Sequence, residues 1–396
     1  MKFNQSVFLM ALIGLMLLSS ISRAAVLPDE RADAMYHSYD GDQLQVSGPA
    51  ILIRKNVTSN TSVFYQYYED NITSASIDVR VSGSPYAEHR EENSVGVDYL
   101  NGKTTMNMSY TGSVENDYDA GTFSVGISQD FFGDLSTLSM GYSQGTDDIS
   151  MRIGSDPNNI SPPLSNINRQ NYRVGFSQIL TKNSTISIGW ETITDEATEL
   201  GASGITLNNP YRQYSYGTPG VDRNYAREIY PNTRTSNALG IRGNYFVNTF
   251  KSAIHYEYRW FQDDWGIKAN SLGLSYVHPI KGWELDFRWR YYAQDKADFY
   301  RDMFDFANQF TYMGRDKELS TFTSTAIGMS ASYKFAKNGW GWIDKGSVNL
   351  SYDLINFEYE DFRDAYQSRL GNANPGEEPL FAFEAEVVQA TISIWY

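Results

Sequence analysis

The sequence predicts an all-β protein: a transmembrane antiparallel β-barrel of about fourteen strands, with sixteen also open, short periplasmic turns and long extracellular loops. Three observations carry this. Near the N-terminus an apolar run from Val7 to Leu18 follows Lys2 and precedes Ser22-Arg23-Ala24. That is the layout of a secretory signal peptide cleaved before Ala25, too short to cross a hydrocarbon core of roughly 30 Å. No later stretch approaches the roughly 18 apolar residues a membrane helix needs. Yet aromatics make up 15% of the chain, tyrosine alone numbers 29, and apolar residues alternate with small or polar ones along most of its length. A membrane barrel reconciles these facts, because lipid-facing and lumen-facing positions alternate and the polar lumen dilutes the hydropathy.

The elements follow in order. Residues 1–24 are the expected signal peptide, 25–58 an N-terminal segment and 59–396 the barrel. Within 25–58, Gln43–Lys55 is strand-like, but Pro49 removes a ladder donor; a plug-like segment and an extra strand are both open. Thr61–Asp70 gives the first strand counted. Ser94–Tyr99, the turn Asn101-Gly102 and Met106–Thr111 form a hairpin. Thr122–Ser128 and Leu138–Ser143 flank Gly133-Asp134, and Tyr172–Ser177 and Glu191 bracket a turn near Asn183. Leu239 and Ile241 precede a turn near Asn248, after which Ile254, Tyr256, Tyr258 and Trp260 share a face. Leu272, Leu274 and Tyr276 lead to Lys281-Gly282. Trp283, Leu285, Phe287, Trp289 and Tyr291 then alternate with polar residues. Ile327 to Tyr333, Val348 to Leu354 and the final "VVQATISIWY" complete the set.

Alternation alone also fits a β-sandwich, with one face in a core and one in water. Connection lengths discriminate. Short turns near 101, 133, 182, 248 and 281 alternate with longer links at 115–120, 147–167, 196–233, 261–268, 294–318 and 359–380, the layout of outer-membrane barrels. The last strand presents Val388, Ala390, Ile392, Ile394 and Tyr396 on one face. It is expected to close the barrel, with Ile392, Ile394 and the terminal Tyr396 as the signal read by the barrel-assembly machinery.

Several stretches resemble a family of outer-membrane proteins known only as domain of unknown function 3570. They are "GPAILIRK" at 48–55, "SASIDV" at 74–79, "SPYAEHREENSVGVDYL" at 84–100 and "SVENDYDAGTFSVGISQDFFGDLSTLSMGYSQGTDD" at 113–148. Together they cover about the first third of the mature chain. The resemblance implies a barrel in a Gram-negative outer membrane and supplies no activity.

Composition narrows the function. Net charge is −15, and loss of Lys2 and Arg23 with the signal peptide takes it to −17. With a pI near 4.7, nucleic acid is not an expected partner. There are no cysteines, so disulfides, zinc-thiolate sites and thiol catalysis are absent. Charges enter the polar face in the second half: His255, Glu257 and Arg259 on one strand, Glu284, Asp286, Arg288 and Arg290 on another. These are the lumen-facing candidates, either lining a pore or filling a narrow barrel with salt bridges. The acidic stretches Glu115–Asp119 and Asp147-Asp148 suit calcium by ligand type, but no twelve-residue calcium loop is present. His255 and Glu257 share a face as a base–acid pair would, but no H-E-x-x-H or G-x-S-x-G motif occurs. No enzyme, cofactor or metal site is expected. The functional expectation is a porin-like conduit for small solutes, the alternative a non-conducting scaffold for a periplasmic or lipoprotein partner, redox-active or not, and the remote alternative an outer-membrane enzyme. The remaining expected partners are outer-membrane lipid and lipopolysaccharide.

Overall fold

A computed structural model describes residues 26–74, 86–150, 161, 163, 165–199 and 213–396. The signal-peptide expectation, the family stretch at 74–79 beyond Ser74 and most of the loop 150–164 lie outside the described residues. The chain forms a closed antiparallel barrel of sixteen strands, the larger of the two counts the sequence left open. In chain order these are β1 (Arg31–Gly41), β2 (Leu44–Thr58), β3 (Thr61–Ser74), β4 (Tyr86–Asn101), β5 (Thr104–Val114), β6 (Tyr118–Phe131), β7 (Ser136–Ile149), β8 (Ser165–Thr181) and β9 (Ser184–Glu199). A loop hairpin, β10 (Gln213–Tyr216) and β11 (Asn224–Arg227), stands outside the wall. The wall resumes with β12 (Thr233–Val247), β13 (Ser252–Asp263), β14 (Lys268–Ile280), β15 (Trp283–Gln294), β16 (Phe322–Phe335), β17 (Lys345–Arg363) and β18 (Leu380–Trp395).

The two strands beyond the preferred fourteen are β1 and β2, so residues 31–58 are wall rather than plug. β1 closes the barrel by pairing with β18 from Arg31↔Trp395 to Gly41↔Ala385. Pro49 sits inside β2 without shifting register: pairing with β3 passes from Ser47↔Asn71 to Ala50↔Tyr68 with a two-residue gap. Gly48 fills that gap because a Cβ there would lie 1.7 Å from the Glu69 carbonyl oxygen. The missing proline donor is thus placed where the two backbones meet too closely for any side chain.

One end of the barrel has short turns and the chain's Tyr396 terminus; the other has the long connections, together with the brief links 115–117 and 264–267 and the tight β1–β2 turn at Asp42-Gln43, where both residues have positive φ. The convex face carries exposed Ile254, Tyr256, Tyr258, Leu272, Leu274, Ile327, Met329, Val348 and Leu350, the apolar belt that lipid requires. The opposite parity is concave. Its signature is pairing between strands that are not neighbours, since curvature splays outer side chains and brings inner ones together.

At the terminal seam, Tyr396 Oη donates to the Arg54 carbonyl oxygen at 3.1 Å. Its ring meets Trp342 edge-on at 6.0 Å and lies under the Lys55 ammonium at 4.9 Å. Ile392 and Ile394 pair with Ala34 and Ala32 of β1. The last residue thus ties β18 to β2 across the closing strand.

Candidate functional site: the barrel lumen

The lumen has two unlike halves. From β5 to β9 the concave face is built of small residues. Ser124, Gly126 and Ser128 of β6 pair with Ser143, Gly141 and Ser139 of β7; Gly175 of β8 pairs with Gly189 of β9, which pairs with Gly240 of β12. Such residues weaken a strand through entropy and lost packing. A wall keeps them only where the space above them is of use.

Arginines stand over this wall and its continuation. Arg173 of β8 donates through Nε to Glu191 at 2.9 Å, and Arg259 of β13 reaches the same carboxylate at 3.1 Å across the intervening β12. Arg242 of β12 pairs with Glu257 at 3.0 Å. Arg290 has no ion-pair partner among the described residues. The side chains of Arg173, Arg242 and Arg259 remain 64%, 71% and 45% exposed. Three guanidiniums therefore share two carboxylates, Arg290 takes neither, and all four are exposed.

The predicted charge rows meet as follows. His255, Glu257 and Arg259 share a face, but His255 Nδ1 bonds Asn244 Oδ1 while Glu257 turns to Arg242, so the two do not form a base–acid pair. Glu284 takes Lys334 at 2.8 Å. Arg288 bridges Asp286 at 3.1 Å and Asp353 at 2.9 Å, the second across β16. Gly328 makes that crossing possible, being opposite both Arg288 and Asp353; a Cβ there would stand 1.8 Å from Asp353 Oδ1. Glu191, Arg173, Arg242 and Asp353 are the partners in these ion pairs that the sequence-based candidates omitted. Their signal is a charge on the small-residue parity of an alternating strand.

The same crossing recurs at the other side of the seam. His37 Nε2 lies 2.8 Å from Asp70 Oδ1, both buried, across Gly48 of β2, and Arg54 pairs with Asp98 across β3. Of the acidic stretches, Asp147 accepts from Tyr118 Oη at 2.5 Å, Asp148 from Asn166 at 2.8 Å, and Glu115 lies 3.6 Å from Arg90. Burial pushes Glu115 above the usual carboxylate value, and neighbouring Arg90 pulls it back. Among the described residues no group of three metal-ligating side chains occurs. Outside the lumen, Ser252 Oγ sits 2.6 Å from His278 Nδ1 and 2.9 Å from Tyr276 Oη. Ser252 is fully buried and no described carboxylate bonds the ring, so this trio staples β13 to β14.

Over the β12–β18 half the long connections fold into a cap. Trp265, Ile267, Ala297, Tyr300, Leu319, Tyr359, Phe362 and Phe381 form one buried cluster with Tyr230; Tyr214, Phe304 and Met313 form another. The sequence carries the signal as aromatic density in a connection, "DFYRDMFDFANQFTYMGR" at 298–315. Charges lock the cap. Arg223 donates to Glu378 at 2.8 Å with both side chains almost fully buried. Arg315 donates to Asp302 at 3.0 Å and lies over the Phe362 ring at 4.4 Å. Lys317 reaches Asp42 in the β1–β2 turn at 2.6 Å. Beneath the cap, Arg234, Arg259, Phe261, Trp265 and Tyr292 line a cavity of about 310 Å³.

Several solved outer-membrane proteins are similar to the chain at low identity. The fold is similar to a solved bacterial polysaccharide outer-membrane secretin (8% identity, TM-score 0.48, covering 93% of this chain and 99% of that one). It is also similar to OccK2 (OpdF) from Pseudomonas aeruginosa in complex with glucuronate (8%, 0.40, 94% and 100%), and to a loop-deleted OmpT from Vibrio cholerae (9%, 0.41, 93% and 98%). No curated protein matches the chain. A family model described as "Protein of unknown function (DUF3570)" matches residues 45–347.

Proposed function

The chain belongs to the DUF3570 family, and from that premise and the lumen we propose that it is an outer-membrane conduit for small solutes with a weak preference for anions. The long-loop end faces outward and the short turns face the periplasm. The observation that supports this most is the small-residue wall of β5–β9, with exposed Arg173 on it and exposed Arg242, Arg259 and Arg290 on the strands beyond, the first three sharing Glu191 and Glu257 and Arg290 unpaired among the described residues. A barrel filled for stiffness alone would carry bulk and matched charge on that face. A charged lumen row sets the field for solutes, and partial pairing makes it a modest filter.

The test is the conductance of the refolded full chain in a planar bilayer, under a salt gradient that reports selectivity. Stable steps are expected, with an anion-favouring reversal potential. Replacing Arg173, Arg242, Arg259 and Arg290 by glutamine should move that potential toward cations. No steps from material that still migrates as a heat-modifiable folded barrel would refute the conduit and leave a scaffold for a periplasmic or lipoprotein partner.

A further inference from the structure

The lysines are distributed unevenly around the short-turn end. On the β1–β6 side and at the closing seam they are neutralised: Lys55 by Glu30 at 3.1 Å, Lys103 by Asp134 at 3.0 Å, Lys345 by Asp29 at 3.1 Å. The four remaining turns, which follow one another around the barrel, are 181–184, 248–251, 280–283 and 336–344. Each holds one lysine (Lys182, Lys251, Lys281, Lys337), and only the last holds an acid, Asp344; Lys334, just before that turn, is paired with Glu284. Among the described residues none of these four ammoniums has a carboxylate within ion-pair distance. Lys337 leans onto the preceding turn, where a Cβ at Gly282 would be 3.4 Å from its Nζ. The Lys337 ammonium thus stands against the turn that carries Lys281.

The same arc is rich in exposed apolar side chains. Leu180, Phe246, Phe250, Ile280, Trp283 and Tyr333 are 42–62% exposed, and the β16–β17 turn adds Trp340 at 73% and Trp342 at 68%. Aromatics with a polar handle settle at the boundary between hydrocarbon and headgroups. A lysine beside them keeps its ammonium at headgroup level while its methylenes lie along the apolar rim. We infer that this arc is a binding surface for anionic phospholipid headgroups of the periplasmic leaflet. It gives the barrel one lipid-selective side, and the β1–β6 side, its lysines already paired, has none. An acidic periplasmic protein is the competing occupant. It fits less well, because the exposed apolar residues flank the lysines on the lipid-facing belt.

This inference rests on the outer-membrane placement, and the experiment separates the two. The full chain is refolded into vesicles of phosphatidylcholine with a minority of phosphatidylglycerol. The preference of its annular lipid is then read with spin-labelled analogues. The expected result is a preference for phosphatidylglycerol that falls toward parity in K182Q/K251Q/K281Q/K337Q, by roughly fivefold at most per lysine. K55Q/K103Q/K345Q should retain it. Equal preference in wild type and the quadruple variant, or equal loss in both variants, overturns the inference while the barrel stands. If polyglutamate binding falls in the quadruple variant and lipid preference does not, the surface is a protein dock and the lipid proposal fails. Failure of the wild type to insert into either lipid would remove the membrane placement and the inference together.

Discussion

The β5–β9 wall and the capped β12–β18 half are built from the same strand geometry and spend it in opposite ways. On the wall the concave positions are largely Gly, Ser and Thr, pairing strand to strand, with the polar side chains of Asn107, Asn171, Arg173 and Glu191 among them and no apolar cluster over them. On the capped half the concave ends carry Phe261, Phe322, Phe357, Tyr359, Phe381 and Phe383, packed against or within the aromatic cluster of the connections. One half therefore gives up side-chain packing to keep room, and the other fills its mouth. A barrel tolerates such a wall because its backbone ladder is closed and has no edge to fray. The packing that a soluble domain would place in a core is concentrated in the cap instead.

The sharpest way to break the contrast is to hollow the packed half. Phe362→Ala removes a fully buried ring that supports Arg315 from below. The expected loss is about 3–5 kcal/mol, confined to the cap. Limited proteolysis should cut 295–321 in the variant while the barrel keeps its heat-modifiable migration. Simultaneous loss of the barrel would show that cap and wall form one cooperative unit. Arg223→Ala should act on the same scale, because it leaves Glu378 buried without its cation, a cost of about 3–5 kcal/mol.

Next in size is a paired test of two lumen glycines. Gly328→Val forces a side chain between Arg288 and Asp353, and overpacking of this kind costs about 1–3 kcal/mol. Gly189→Ala, on the open wall, meets nothing closer than the Val174 carbonyl oxygen at 3.9 Å from the new Cβ and should stay within about 0.5 kcal/mol of wild type. Thermal melts of the two variants compare the halves directly. Equal losses would mean that the wall glycines are held by backbone conformation rather than by space.

Legibility in the sequence follows the same division. The wall could be read because period two and the parity of Gly and Ser are local facts, visible one strand at a time. The charge rows at His255–Arg259 and Glu284–Arg290 were visible for the same reason. Which charge meets which was not visible. Arg259 finds Glu191 and Arg288 finds Asp353 across an intervening strand, and that depends on curvature and register rather than on spacing. The strand count stayed open because β1 carries Asp33, His37 and Asp40 on a short, polar eleven-residue strand, while Pro49 and Gly48 disguise β2. The cap was missed because a connection from 295 to 321 reads as loop by its turn residues. Its aromatic spacing follows neither helix nor strand, and its partners Tyr230 and Phe381 lie far away in sequence.

The smallest expected effect is a pH contrast between two carboxyls, one at the closing seam and one at the edge of the wall. Glu30, at the closing seam, is held below its usual value of 4.5, first by the hydrogen bond from Lys55 and then by the Asn56 backbone N–H. A depressed carboxyl stabilises the folded state above 4.5, and that contribution disappears as pH falls through its lowered value. Glu115, at the β5–β6 connection, is raised by burial, so the sign reverses. Its contribution is present below the usual 4.5 and is lost as pH rises through the raised value. Acid should therefore loosen the seam and tighten the wall's loop. Thermal melts across this range should show Glu30→Gln flattening the acid-side decline and Glu115→Gln raising stability at neutral pH, where the wild-type carboxylate is charged and half-buried. If both substitutions shift the melts in the same direction at every pH, the Glu115 site is solvated and the β5–β6 corner is as open as the wall beneath it.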